Sequence, residues 1–306
     1  MTLFAVIVAL ALEQLRPLSV RKWVSVPLSR LAGFLEAKLN DGQRRHGTVA
    51  WVLAVVVPVI MLGVLYGALH WLQPVAAFLF AVAVLYLTMG FRQFSHYFSE
   101  LHLALRMGEL DQARRIMTEW RGRSGDRLSS GEIARLAIEQ ALVASHRCVF
   151  APLFWFYVLG PAGALLYRLA LFFNTQWGER SDQEFGRFGE FSRRAFAVID
   201  WLPVRVTASA FAIVGDFEDA VLCWRTQAAR WSDPAAGILL ASGAGALGVR
   251  LGMPVHESLD IDDRPEIGLG EDADADFMQS AVGLVWRAMV LGLLLMALLW
   301  VASWVS

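Results

Sequence analysis

The chain has 306 residues, 57% of them hydrophobic and 18% charged, with a formal net charge of −1. Ordinary soluble domains carry roughly 25% charged residues, so the composition argues against a soluble globule, and the near-zero charge excludes nucleic-acid binding by bulk electrostatics. Arginine supplies nearly all the positive charge, since Lys22 and Lys38 are the lysines, and no Schiff-base or phosphate-loop lysine exists after residue 38.

Residues 3–13 (LFAVIVALALE) are apolar but shorter than the ~20 residues a helix needs to cross a bilayer. They lack a basic start and an A-x-A-like site, which predicts an uncleaved first span or a half-buried anchor rather than a signal peptide. Residues 48–71 hold no formal charge, and residues 75–91 follow after Leu72, Gln73 and Pro74. The short link predicts an antiparallel hairpin of two spans. Seven basic residues from Arg16 to Arg45 precede the hairpin and eight arginines from Arg92 to Arg135 follow it. The positive-inside rule then predicts that both flanks are cytoplasmic.

Residues 92–147 form the largest polar stretch. Phe91, Phe94, Phe98, Leu101 and Leu105 recur at helical spacing, as do Leu110, Ala113 and Met117, so amphipathic helices in a cytoplasmic insert are expected. His96 and Glu100 share a helix face; two ligands are too few for a metal site, and an ordinary i,i+4 pair is expected. Residues 148–173 are a third apolar segment, interrupted by Gly160-Pro-Ala-Gly163 and therefore bent or re-entrant. Residues 196–215 carry Asp200 and Arg205 inside apolar sequence. Such charges face a partner or a cavity if the segment spans, or cap a break at the interface around Pro203. Residues 283–305 are the last span, with Trp286, Trp300 and Trp304 near its ends. The expected fold is all-α, one polytopic domain over 1–306 with about five transmembrane helices, a helical insert at 92–147 and an acidic loop at 253–281.

Within that loop, residues 256–276 hold nine carboxylates and one arginine. They are either oxygen ligands for Mg²⁺ or Ca²⁺ or a solvated, self-repelling run; EF-hand spacing fails because Arg264 stands where a ligand belongs. Gly243-Ala-Gly245-Ala-Leu-Gly248 spells G-x-G-x-x-G. A dinucleotide site needs that pattern after a strand, and here small residues that let helices approach explain it better. Cys148 and Cys223 lie in no metal-type spacing and are expected to be packing residues. No G-x-S-x-G, H-E-x-x-H or Walker A pattern is present.

Several short elements in order carry a resemblance. They are Arg106-Met-Gly-Glu-Leu-Asp-Gln-Ala-Arg114, Gly122-Arg123 with Asp126, Ile133 to Glu139, and Ala151-Pro-Leu-Phe-Trp155. Gly160-Pro-Ala-Gly163, Tyr167-Arg168, Leu202-Pro-Val-Arg205, Ala244 to Gly248 and Arg264-Pro-Glu-Ile-Gly268 follow. Together they resemble the CobD/CbiB family, which makes adenosylcobinamide phosphate in cobalamin synthesis. The resemblance implies ATP- and Mg²⁺-dependent joining of an amino-alcohol to a corrinoid carboxylate. The residues left for such a site are Arg123, Asp126, Glu139, Asn174, Asp200 and Arg205, with the acidic loop.

Other family positions are altered. A family A-E-N triplet becomes Leu142-Val143-Ala144, an Asp becomes Arg147, and paired acids become Phe196 and Ala197. N-T-L-D-S-M becomes Leu171 to Gln176, and S-P-N becomes Asp233-Pro234-Ala235. Met1-Thr-Leu-Phe4, Val198 to Arg205 and Ala212 to Trp224 also resemble AmpE, a membrane protein of the same superfamily linked to β-lactamase induction. The leading expectation is thus a non-catalytic, AmpE-like regulatory or binding protein of the bacterial inner membrane. It would need no cofactor and would contact the lipid bilayer and a protein or cell-wall-fragment partner, but no nucleic acid. The alternative is adenosylcobinamide-phosphate synthase or an amide-forming relative, with ATP, Mg²⁺ and a corrinoid. A transporter-like channel would rest on Asp200 and Arg205 alone, with no internal repeat behind it.

Overall fold

The computed structural model describes residues 2–15, 24–180, 185, 187–257, 260–262 and 264–305; side chains at 91–94, 257, 260–262 and 303–305 lie outside that description. The expected apolar positions Phe91 and Phe94 and the basic stretch from Arg16 to Lys22 therefore fall outside the described side chains. The chain forms two compact units, Met1–Gly90 with Arg147–Pro203, and Phe91–His146 with Val204–Ser306.

In the first unit, α1 (Thr2–Leu15) lies along α4 (Pro74–Thr88) and buries Ala5, Val6 and Ala9. Its 14 described residues reach about 21 Å, less than the ~30 Å hydrocarbon layer. After α2 (Val26–Leu39), α3 (Arg44–Leu72) runs for 29 residues with one π-turn at Val52–Val56. Gln73, with extended backbone, joins α3 directly to α4, and the two helices pack as the expected hairpin.

The third apolar segment is bent. Helix α7 (Ser130–Leu159) stops at Gly160, whose φ of 65° suits a residue without Cβ. Pro161 then opens α8 (Pro161–Phe173), which folds back on residues 151–159. Gly163 makes the reversal tight, since a Cβ there would sit 2.0 Å from the Trp155 carbonyl oxygen. Trp51, Tyr167, Phe173, Trp177, Phe185 and Phe188 fill the core below.

Helix α9 (Glu190–Val214) is continuous through Pro203, so the break around Pro203, one of the two readings of Asp200 and Arg205, does not occur. Proline removes the donor that would bond the carbonyl four residues earlier, here that of Ile199. The Trp155 indole N–H donates to that Ile199 oxygen at 3.2 Å. A neighbouring helix thus satisfies the freed acceptor, which is how prolines are accommodated in membrane helices. Trp155→Phe is expected to lower stability by about 1 kcal/mol, the loss of one hydrogen bond to a half-buried acceptor. The loss should shrink in a Pro203→Ala background, and thermal unfolding of the four proteins in a double-mutant cycle measures it.

In the second unit, α5 (Phe91–Arg106) and α6 (Leu110–Arg121) pack on each other, with Tyr97 stacked on Trp120 at 6.1 Å. Phe98, Leu101, Ala113 and Met117 are buried, as their spacing predicts. Gly122 ends α6 in the left-handed conformation. Residues 130–147 of the expected insert differ from the rest, because they open the long apolar helix α7. His96 and Glu100 form an exposed pair at 3.3 Å, as expected.

Farther along, α10 (Phe217–Gln227) and α11 (Pro234–Leu247) pack closely. The glycine pattern lies inside α11 and at its end, not after a strand. Cys223 is buried and Cys148 partly so, both as free thiols. The acidic stretch is ordered by short strands. β1 (Val249–Arg250) pairs in parallel with β4 (Glu271–Asp272), and β2 (Val255–Glu257) pairs antiparallel with β3 (Asp260–Asp262). Helix α12 (Ala275–Val305) closes the chain.

Among the described residues, four helices are long and apolar enough to cross a membrane: α3, α7, α9 and Ala275–Ala302 of α12. Helices α1, α4 and α11 are apolar but shorter. Ile60, Met61 and Val64 on α3 and Leu294 and Leu298 on α12 are more than half exposed. Apolar surface on that scale needs lipid or protein cover, and the chain is an all-α polytopic membrane protein.

Candidate functional site

The first turns of α7 carry the densest buried charge in the second unit. A capping box sets their start: the Glu132 backbone N–H donates to Ser129 Oγ, and the Glu132 carboxylate accepts the Ser129 N–H. Glu132, Arg135 and Glu139 then follow at helical spacing, bringing them onto one side of α7.

Each engages the segment after β1. Glu132 Oε1 accepts the His256 backbone N–H at 3.0 Å and lies 2.9 Å from His256 Nδ1. Arg135 donates to the Pro254 carbonyl at 3.2 Å. Glu139, 7% exposed, accepts the Gly252 N–H at 2.8 Å on one oxygen and Arg264 Nη1 at 2.6 Å on the other. Arg264 also donates to the Gly252 carbonyl at 3.3 Å and lies 5.6 Å from the Trp231 ring centre.

The backbone here is tightly constrained. Gly252 has φ of 72°, and a Cβ on it would stand 2.0 Å from the Pro265 oxygen. Arg250 pairs with Asp272 at 2.9 Å and Glu266 at 3.7 Å. The Gln227 amide clasps Gly268, accepting its N–H at 2.6 Å and donating to its carbonyl at 3.4 Å. The stretch read as either cation ligands or a solvated, self-repelling run is therefore partly a docked segment, with Arg250 pairing two of its carboxylates and its own arginine, Arg264, reaching Glu139.

The six residues singled out in the sequence divide between the units. Arg123, Asp126, Glu139 and Arg205 belong to the second, Asn174 and Asp200 to the first. Arg123 and Asp126 are exposed in the turn before α7, and Asp126 accepts a hydrogen bond from Ser124 at 2.8 Å. Arg205 is half-buried on α9. Asp200, 2% exposed, accepts the Tyr167 hydroxyl at 3.0 Å. Asn174 donates to Glu179 at 3.3 Å, while its Oδ1 is buried without a hydrogen-bond partner among the described residues. Of the six, Glu139 is the one at the centre of a charged cluster, and Glu132, Arg135, His256 and Arg264 join it there.

Two of the altered family positions hold packing residues. Leu142 is fully buried with its methyls against Gly243, and Phe196 packs on Tyr167 at 5.8 Å. Among the described residues no three His, Cys, Asp or Glu side chains converge as metal ligands. Glu139 already has both oxygens bonded, one of them to the Arg264 cation, so the cluster does not fit a resident Mg²⁺ ion.

The family described as CobD/Cbib protein matches residues 6–285. The chain belongs to the CobD/CbiB family. A protein of Stutzerimonas stutzeri named "Cobalamin biosynthesis protein CobD" is 36% identical over 296 residues, covering 95% of this chain and 96% of the relative. A namesake from Chromobacterium violaceum is 37% identical over 216 residues, covering 71% and 69% of the two chains. One from Mycobacterium tuberculosis is 29% identical over 263 residues, or 83% of each. No solved structure matches. These similarities favour the cobalamin branch of the resemblance over the AmpE-like one. Within this CobD/CbiB chain, the Ile133–Glu139 and Arg264–Gly268 elements, far apart in sequence, meet through the Glu139–Arg264 ion pair.

Proposed function

We propose that this chain acts in cobalamin biosynthesis, forming the amide between an amino-alcohol and a corrinoid carboxylate at the expense of ATP. The observation that carries this reading is the similarity to a named cobalamin biosynthesis protein over 96% of that relative's length. The charged cluster supplies suitable chemistry. An amine must lose a proton as it attacks an activated carboxylate, and Glu139 is a buried carboxylate that can take it once Arg264 turns to an anionic substrate group. Arg135 and Arg264 provide guanidinium forks for carboxylate or phosphate oxygens. The site would work at the bacterial inner membrane, with the basic flanks of the hairpin in the cytoplasm.

A second reading, a non-catalytic AmpE-like regulator, draws on Leu142 and Phe196, which pack where the family pattern has polar groups. One assay separates the two. Purified protein in detergent is given Mg-ATP, cobyric acid and an amino-alcohol, and products are read by mass spectrometry. The amide is expected, formed in proportion to ATP consumed. ATP left intact with no amide would reject the synthase and leave the regulator.

A further inference from the structure

The first unit holds a second concentration of positive charge that the proposed activity does not use. A cavity of about 220 Å³ is lined by Gly178, Arg180, Arg187, Gly189, Glu190 and Arg193. Its walls are backbone as much as side chain. A Cβ on Gly178 would fall 2.4 Å from Asn174 Oδ1, and one on Gly189 would fall 1.9 Å from the Trp177 carbonyl oxygen. Both glycines therefore sit against neighbours with no room for a side chain, and the space beside them stays open.

The cations are held in different ways. Arg180 pairs with Glu36 at 2.9 Å and lies 4.4 Å above the Phe185 ring. Arg187 donates to Glu190 at 3.2 Å, and Arg194, outside the lining, grips the same carboxylate. Arg193 is exposed and has no ion-pair partner among the described residues. Among the described residues the one lining carboxylate, Glu190, is neutralised by guanidiniums on two sides, and the described part of the lining is cationic. Trp177, Phe185 and Phe188 pack edge to face beside these residues.

Position matters as well. Arg187 N–H donates to the Gly42 carbonyl at 3.0 Å, and Gly47 is packed on the Phe188 carbonyl. The cavity therefore lies by the starts of α3 and α9, two helices long enough to span. For spanning helices that end lies at the headgroup level.

We propose that this cavity is a phosphate-binding site, with Arg180, Arg187 and Arg193 as its ligands. Planar guanidinium forks match phosphate oxygens in pairs, and Arg180, Arg187 and Arg193 bring three such forks to the cavity. Phosphate there has two chemical sources, a soluble phosphomonoester or the headgroup of an anionic lipid. Binding does not require turnover, so the site stands or falls separately from the synthase reading.

The test uses the full chain in a non-ionic detergent. Inorganic phosphate is titrated by calorimetry into the wild type, Arg193→Gln, Arg187→Gln and, as a charge control outside the cavity, Arg225→Gln. In parallel, retention of phosphatidylglycerol against phosphatidylcholine is read by native mass spectrometry. Unchanged melting curves confirm that each variant is folded, and Arg193→Lys, which keeps the charge and loses the fork, should fall between wild type and Arg193→Gln. For a soluble ligand, phosphate affinity should drop at least tenfold in the two glutamine variants and not in the control. For a lipid ligand, phosphatidylglycerol retention should drop in the same two variants. If all the proteins hold both probes alike, or none holds either, the proposal is overturned.

Discussion

Glu139→Ala should destabilise the second unit by about 3–5 kcal/mol, the range for removing one partner of a buried ion pair. The cost comes from Arg264 more than from the lost contact itself. Its guanidinium is 13% exposed and would remain between α7 and the Gly252–Met253 turn with no counter-charge. The Gly252 N–H, now bonded to Glu139, would also lose its acceptor. Glu139→Gln keeps an oxygen for Gly252 while removing the charge, so it should cost less than alanine. Glu139→Gln combined with Arg264→Met replaces the pair by neutral groups and should recover much of the loss, because replacing both charges of a buried pair is often near neutral. Thermal unfolding of the purified variants orders them, and proteolysis should cut first between residues 252 and 264 in Glu139→Ala. The double variant also separates scaffold from chemistry. If Glu139 takes the amine proton, the double variant should be stable yet form no amide. If it forms amide at the wild-type rate, Glu139 only positions the docked segment.

The hairpin was legible because it depends on local composition, but not every span bound was: α4 has 15 residues where a span over 75–91 was expected, and α7 starts at Ser130 rather than 148. Residues 48–71 and 75–91 carry apolar side chains without interruption, and a link of Leu72, Gln73 and Pro74 leaves no alternative to a reversal. The bend at Gly160 was legible for the same reason, since Gly-Pro dictates backbone conformation on its own. What the sequence concealed is long-range. Glu139 and Arg264 are 125 residues apart, and no periodicity links them. Read locally, Arg264 looks like the residue that spoils a calcium loop; in the fold it neutralises a carboxylate on another element. Pro203 shows the converse. Its local signal is to break a helix, yet the Trp155 indole supplies the donor that its ring cannot. Neither partner could be chosen without tertiary structure. Asp126 and Arg123 were singled out by resemblance alone, and their exposed positions give them no packing role that a sequence pattern could have shown.

Gly245→Val should be the most damaging change within the glycine pattern. The missing Cβ would lie 2.5 Å from the Asp219 carbonyl oxygen and 2.7 Å from the backbone of Ala220. Backbone cannot rotate aside as a side chain end can, so α10 and α11 would have to separate along their contact. Overpacking of this kind costs about 1–3 kcal/mol and sometimes more, and the fixed neighbours place Gly245→Val at the upper end. Gly243→Ala meets only the Leu142 methyls, nearest at 2.7 Å, which can shift rotamer, and should cost less than about 1 kcal/mol. Gly248 has open space around it but φ of 66°, so alanine there should cost about 1 kcal/mol through backbone strain alone. A dinucleotide loop would rank the three differently, because its glycines admit a pyrophosphate and each substitution would abolish NADH binding. Melting temperatures of the three variants, with NADH fluorescence titrated into the wild type, decide the matter. The order Gly245, then Gly248, then Gly243, without NADH binding, identifies the pattern as a helix-packing surface. Equal sensitivity at all three positions with NADH bound would identify a nucleotide site.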